Sequence, residues 1–231
     1  MNVVISGATG GVGKAVAKLF ASRGHNIILL GRDIGKLSRL SKYIGKNHKV
    51  TAKFYQCDVE NIEEVENCIK DISKLSKKID LLINIAGVFP YGPLLKMSKN
   101  SYDNCMDVNL KLPFLLSVGL FNNLKKSGGG KIINIGSSSS YAGFKNTVIY
   151  CASKHALLGF SRALHDEWKE HGVSVHCISP GTIDTDMADV LSQDRSTYIR
   201  AGEFAELVYD VSRYNGNMLI KEVCAVRRVI K

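Results

Sequence analysis

Val3-Val4-Ile5-Ser6-Gly7-Ala8-Thr9-Gly10-Gly11-Val12-Gly13 decides the architecture of this chain. A short β-branched run ends in clustered glycines, and Lys14-Ala-Val-Ala-Lys-Leu-Phe20 follows with helix-forming residues. β-branched side chains favour extended backbone, whereas Ala, Leu and Lys favour helix, so the glycines mark a strand-to-helix turn. Glycine at 7, 11 and 13 permits a tight turn and lets the backbone approach a ligand. The N–H groups and dipole of the next helix then favour an anion, such as a pyrophosphate. The spacing is G-x-x-x-G-x-G, not the commoner G-x-G-x-x-G, and a glycine cluster alone also suits an ordinary β–α turn. Its place directly between strand and helix favours a dinucleotide cradle.

The alternation continues down the chain. Asn26-Ile-Ile-Leu-Leu30, Val50 to Cys57, Asp80-Leu-Leu-Ile-Asn84, Lys131-Ile-Ile-Asn-Ile135 and Val173-Ser-Val-His-Cys-Ile178 are apolar runs separated by longer helical stretches. Continuous apolar strands are what helices on both faces of a parallel sheet require. The expected fold is therefore α/β, a Rossmann-like doubly wound parallel sheet in a single domain, 1–231. Its ligand belongs at the carboxyl ends of the strands. Pro113 falls inside a presumed long helix, where a kink is expected.

The formal charge of +10 and pI near 9.3 raise a nucleic-acid reading. The basic residues are nevertheless spread out, and the densest clusters, Lys125-Lys126 and Arg227-Arg228, are only pairs. Solvated helix faces account for them better, with a modest pull on an anionic ligand. No long uncharged apolar run suggests a membrane span, and the first residues carry no secretory pattern. The six cysteines are scattered without C-x-x-C spacing, which argues against a zinc site or a disulfide framework and points to a reducing cytoplasm. His171 and His176 lie close in sequence, but His171 beside Gly172 reads as a helix end rather than a metal ligand. No metal is expected.

Tyr150 and Lys154 stand at i and i+4, one helical turn apart. A lysine ammonium there can stabilise a phenolate and draw the tyrosine pKa from about 10 toward neutrality, making it a usable general acid and base. Ser137 lies thirteen residues upstream and Asn109 further upstream. With the glycine loop, these residues resemble the short-chain dehydrogenase/reductase family over nearly the whole chain. Gly7, Gly11 and Gly13, with Thr9 and Val12 between and beside them, match its cofactor loop. Asp58-Val59 matches its adenine-side pair, and Asn84-Ile85-Ala86-Gly87 resembles its Asn-Asn-Ala-Gly. Asn109, Ser137, Tyr150 and Lys154 fall where it keeps a catalytic tetrad. Pro180-Gly181, with Ile183 and Thr185, resembles its nicotinamide-side loop. Ile85 and Gly136 depart from the family pattern, which commonly has Asn and Ser there.

The resemblance implies a role for each residue. Tyr150 donates or accepts the proton, Ser137 binds the carbonyl oxygen, and Lys154 holds the nicotinamide ribose. Asn109 holds a water that links Lys154 to solvent, and Thr185 fixes the carboxamide. Taken singly, each position has a plainer reading as a core aromatic, surface charge, structural amide or turn residue. At the end of the second strand, Gly31 takes the usual acidic position of NAD enzymes and Arg32 can fork onto a 2′-phosphate. NADP(H) is the preferred cofactor, with NAD(H) the alternative if Arg32 is a surface residue and Asp33 a helix cap.

The expected function is ketone–alcohol interconversion on a small-molecule substrate, such as 3-oxoacyl or general carbonyl reduction. The segment after the sixth strand, 184–201, is expected to close the substrate pocket with Met187, Val190, Leu191, Tyr198 and Ile199. Phe89, Tyr91 and Phe144 are further candidates for its lining. Two rivals remain. A non-catalytic redox sensor would normally lose the tyrosine or lysine, and a sugar-nucleotide epimerase is usually much longer. The brief tail, 217–231, lacks long extensions. The resemblance also implies a homodimer or homotetramer built through the helices around 102–126 and 150–170.

Overall fold

The computed structural model describes residues 1–191, 194–214 and 218–227. Arg228 of the expected basic pair, part of the expected tail and two positions of the expected pocket segment lie outside the described residues. The first β–α unit is β1 (Asn2–Ser6) and α1 (Gly11–Ser22), followed by β2 (Asn26–Gly31) and α2 (Ile34–Asn47). Next come β3 (Ala52–Gln56), α3 (Ile62–Leu75) and β4 (Leu81–Asn84). The β4–β5 crossover holds α4 (Lys99–Met106), a π-helical turn (Asp107–Lys111), α5 (Leu112–Gly119) and α6 (Phe121–Lys125). The rest is β5 (Lys131–Ile135), α7 (Val148–Trp168), β6 (Ser174–Pro180), α8 (Ala201–Arg213) and β7 (Glu222–Ala225).

All strand pairs are parallel, in the order β3-β2-β1-β4-β5-β6-β7. Chain direction across the sheet reverses between β1 and β4, which opens a crevice at their carboxyl ends. β1 shows why both faces are covered. Val3 and Ile5 enter one apolar layer with α1, α2 and α8, while Val4 enters the opposite layer with α3, α5 and α7. Helix ends follow local chemistry: the Asp33 carboxylate accepts from the Lys36 N–H at 2.8 Å, and Ser98 accepts from the Ser101 N–H at 3.0 Å.

Helical backbone runs unbroken from Lys99 to Gly119, and the expected distortion at Pro113 takes the form of the π turn just before it, which absorbs the missing N–H. The tail forms a seventh strand that periodicity did not suggest. Glu-Val-Cys-Ala is short, half-buried and at a sheet edge, so its alternation is weak. Arg162 on α7 holds it from outside through a forked pair with Glu222, at 2.6 and 2.9 Å. Among the described residues no helix is long and apolar enough to cross a membrane.

Candidate active site

The crevice at the switch point is a cleft of about 870 Å³. Its floor begins at the glycine loop. Gly7 has φ +66°, and a Cβ there would lie 2.6 Å from the Ala86 nitrogen, so the position requires glycine. Gly13 packs on the Gly7 carbonyl. Gly10, the N-cap of α1, contributes no capping side chain. The first-turn N–H groups thus lack a side-chain acceptor and suit an anion. Thr9 and Val12 complete this wall. The opposite lip folds over it, because a Cβ on Gly11 would meet Thr185 Cγ2 at 2.6 Å. Pro180, Gly181, Ile183 and Thr185 all line that lip.

Asp58, Val59, Ala86 and Gly87 line the cleft as well, whereas Asn84 does not. Asn84 is 2 % exposed and donates to Asn134 Oδ1 at 2.8 Å, joining β4 to β5. Its expected cofactor contact is replaced by a structural one, because its side chain lies on the sheet face beneath α7, where Asn134 in turn donates to Ser161 at 2.9 Å. Ser6, which the sequence reading passed over, contributes more directly. Its hydroxyl accepts from the Ile85 and Ala86 N–H groups at 3.2 and 3.3 Å, tying the β4 loop to β1. Ile85 itself packs on the apolar layer.

At the end of β2, Arg32 lines the cleft, and Asp33 is engaged as the cap of α2. Lys36, also in the lining, is a second cation that the sequence reading missed. It is one helical turn past the expected position, so a linear motif does not show it. Its ammonium lies 3.5 Å from the Asp33 carboxylate.

Tyr150, Lys154 and Ser137 converge at the other end of the cleft. Ser137 caps the short turn Ser138–Ser140, accepting from the Ser139 N–H at 3.1 Å. Ser138 and Ser139 share the lining, but Ser137 is the serine that bonds toward the Tyr150 phenol. Lys154 is 4 % exposed and donates to the Ile135 carbonyl at 2.8 Å. Its ammonium lies 5.7 Å from the Tyr150 ring centroid and would be 3.8 Å from a Cβ on Gly87. A lysine has three N–H donors, so the Ile135 bond leaves others facing the cleft.

The ionisation of Tyr150 differs from the sequence-based expectation. Burial pushes its phenol up to about 12, with the Ser137 hydrogen bond working the other way. Burial likewise drags Lys154 down to about 8. The i, i+4 spacing disclosed proximity but not depth. The tyrosine rise corresponds to about 3 kcal/mol against the phenolate. A charge about 6 Å away at an effective dielectric near 20 returns about 3 kcal/mol. A charged Lys154 is therefore strong enough to offset burial, not to draw the phenol to neutrality. In this environment Tyr150 is a protonated acid near neutral pH.

Asn109 is fully buried in the π turn and lies outside the cleft lining. Its amide clamps Val88, accepting from the N–H at 2.8 Å and donating to the carbonyl at 3.1 Å. It also donates to Ser153 Oγ at 2.9 Å, and that hydroxyl donates to the Tyr150 carbonyl at 2.8 Å. Both amide N–H groups are thus committed. The Asn109 backbone carbonyl lacks the usual i+4 donor, because residue 113 is proline.

The described residues of 184–201 include two 3₁₀ turns, Asp186–Leu191 and Arg195–Thr197, stapled by Arg195 to Asp184 and Asp189. Met187 and Leu191 line the cleft as expected, but Val190, Tyr198 and Ile199 do not. Tyr198 is buried beneath the Arg227 guanidinium, and Ile199 pairs with Ile183 in a β-bridge. Phe89, Tyr91 and Phe144 all line the cleft. His171 packs edge-on to Phe121 at the end of α7. No group of three or more His, Cys, Asp or Glu among the described residues is arranged to hold a metal ion.

Strand order and cleft position define the class: a doubly wound, Rossmann-like α/β protein with its ligand site at the switch point. The family profile described as short chain dehydrogenase matches residues 1–196, and the chain belongs to that family of oxidoreductases. An uncharacterized oxidoreductase of Thermotoga maritima is 36% identical over 183 residues, covering 78% of this chain and 70% of its own length. The 3-oxoacyl-[acyl-carrier-protein] reductase FabG of Rickettsia conorii is 34% identical over 190 residues, covering 82% and 76%. A metagenomic short-chain oxidoreductase in complex with NADP superposes with a TM-score of 0.86 at 26% identity, covering 100% of this chain and 98% of its own.

Proposed function

We propose that the chain is an NADP(H)-dependent oxidoreductase that interconverts a ketone and a secondary alcohol, with Tyr150 as general acid and base. The convergence of Ser137, Tyr150 and Lys154 on the cleft whose far wall is the glycine cradle carries this reading. The cofactor fits the residues present. The cradle excludes Cβ atoms, α1 leaves its first-turn N–H groups uncapped, and Lys154 retains donors for ribose hydroxyls. The NADP bound by the metagenomic relative supports the same choice.

Asp58 and Val59 form the adenine side, Thr185 the nicotinamide side, and Arg32 with Lys36 the 2′-phosphate side. When bound between these walls, a reduced nicotinamide would supply the hydride for carbonyl reduction. Ser137 bonds the carbonyl oxygen, and Tyr150 transfers its proton to that oxygen as charge develops. A proton then returns to the phenolate through Lys154, with solvent reached by a water on the Asn109 carbonyl. In oxidation the same proton moves back. The test is loss of reduced-nicotinamide absorbance with NADPH and a panel of ketones; no turnover with any of them would reject the reading.

Cofactor choice gives a separate expectation. Hydrogen bonds to charged groups contribute about 1.5–3 kcal/mol, so Arg32→Glu should lower the NADPH-to-NADH ratio of kcat/KM by about 10- to 100-fold. An unchanged ratio, or a wild-type preference for NADH, would remove the 2′-phosphate assignment.

The assembly is a homodimer or homotetramer paired through α4–α5 and α7. Exposed Tyr102 on α4, Phe114 and Val118 one turn apart on α5, and Val148 at the start of α7 support it. Sedimentation of the purified protein should show a dimer or larger at micromolar concentration, and a monomer would overturn it. The scattered cysteines support a reducing, cytoplasmic setting.

A further inference from the structure

Aromatic side chains crowd the reacting end of the cleft, and proton transfer uses one of them. Phe89 meets the Tyr150 ring edge-on, with centroids 4.6 Å apart and planes at 77°. Tyr91 lies 5.8 Å beyond Phe89 at 36°. Phe144 enters the same lining from the loop before α7. Tyr91 and Phe144 are 39% and 49% exposed, so ring surface remains open toward the cleft mouth. Met187 and Leu191 supply flexible apolar surface from the β6–α8 segment.

The position of Phe89 is built in. The preceding residue, Val88, has both backbone polar groups held by Asn109. Asn109 also reaches Tyr150 through Ser153, so one buried amide sets both Phe89 and Tyr150. The loops carrying Phe89 and Phe144 are joined by the Gly92 N–H donating to the Asn146 carbonyl at 2.9 Å. Asn146 has φ +66°, a left-handed conformation that costs energy outside glycine and persists where surrounding structure holds it. Rings presented edge and face beside a polar reacting group recognise another ring better than a flexible chain, because their quadrupoles reward defined geometry.

We propose that Phe89 is a specificity-determining residue: with Tyr91 and Phe144 it grips an aromatic ring adjacent to the substrate carbonyl, making aryl ketones and the corresponding aryl carbinols the substrate class. The inference rests on the oxidoreductase reading for the reaction, but not for binding. Reduction adds hydride to the aryl carbonyl carbon and the Tyr150 proton to its oxygen, giving the carbinol and oxidised cofactor.

The test compares acetophenone with 2-butanone, using NADPH, in wild type, Phe89→Leu and Phe89→Trp. Leucine keeps apolar bulk and removes the ring. In Phe89→Leu the acetophenone-to-butanone ratio of kcat/KM should fall about 10-fold, mainly through the acetophenone KM. Phe89→Trp should keep that ratio within about threefold. Equal losses for both ketones would show that Phe89 only braces Tyr150 and would overturn the proposal. So would wild-type enzyme that does not favour acetophenone. Calorimetric titration of 1-phenylethanol into the NADP-loaded protein separates the two readings. Phe89-dependent binding without turnover upholds the aromatic site and rejects the oxidoreductase reading. Turnover of ketones without Phe89-dependent binding does the reverse.

Discussion

Tyr150→Phe should cut carbonyl reduction by about 10²- to 10⁴-fold while leaving NADPH affinity within about twofold of wild type. The substitution removes only the phenolic oxygen. The Phe89 edge contact and the apolar packing of the ring are kept, so the helix start has no reason to move. Ser137 still offers a hydroxyl to the substrate oxygen, which preserves some electrostatic stabilisation. What disappears is the proton donor. With burial pushing the wild-type phenol up to about 12, the donor is fully protonated across the neutral range. Single-turnover absorbance measurements and NADPH fluorescence titration read the two quantities separately. Turnover near the wild-type value would transfer the acid role to another group, with Ser137 next in line.

Lys154→Met should cost at least about 100-fold in turnover and yet leave the protein no less stable at neutral pH. Lowering the lysine from 10.5 to about 8 means that the charged form near pH 7 bears a burial cost of about 3 kcal/mol. Methionine has similar length and no charge to desolvate, although its arrival leaves the Ile135 carbonyl without its partner, a loss of about 1–3 kcal/mol. The balance is near zero or favourable, so Tm should equal or exceed that of wild type. A lysine whose folded pKa lies below its unfolded value binds fewer protons when folded. Its burial cost is therefore greatest below pH about 8 and is relieved as pH rises toward 10.5, where the unfolded chain also deprotonates. Wild-type stability should thus gain on Lys154→Met as pH rises through that window. Cofactor affinity should weaken above pH about 8 in wild type if the ammonium holds the ribose, and stay flat in the variant. A large fall in Tm would mean that Lys154 is structural first. A pH-independent wild-type affinity would free it from cofactor binding.

The two substitutions probe different depths of legibility. Sequence reading placed Tyr150 and Lys154 on one helical face, since i, i+4 spacing is a local property of α-helices. It read the direction of the tyrosine pKa incorrectly, because desolvation depends on how many atoms other segments pack around the hydroxyl. Asn109 shows the same limit. Its position matched a motif, but its amide belongs to Val88 and Ser153, and only the π turn with Pro113 gives its carbonyl a separate role. Asn84 was assigned to the cleft, but its amide bonds Asn134 on the sheet face beneath α7, a pairing set by the register of β4 and β5. Ser6 and Lys36 carried no motif. Each matters through a neighbour distant along the chain or one helical turn away.

The chain by itself determined the order of the first six strands and the helices between them, the parallel arrangement and the glycine turn that must approach a ligand. Those features rest on local propensity, side-chain periodicity and the missing Cβ of glycine, all readable within a few residues. The tertiary structure alone decided which side chains share the cleft, how deeply Tyr150 and Lys154 lie, and that Phe89 stands against the phenol. These depend on contacts between residues far apart in sequence, where burial, dielectric and ring geometry are properties of the assembled neighbourhood and not of any segment.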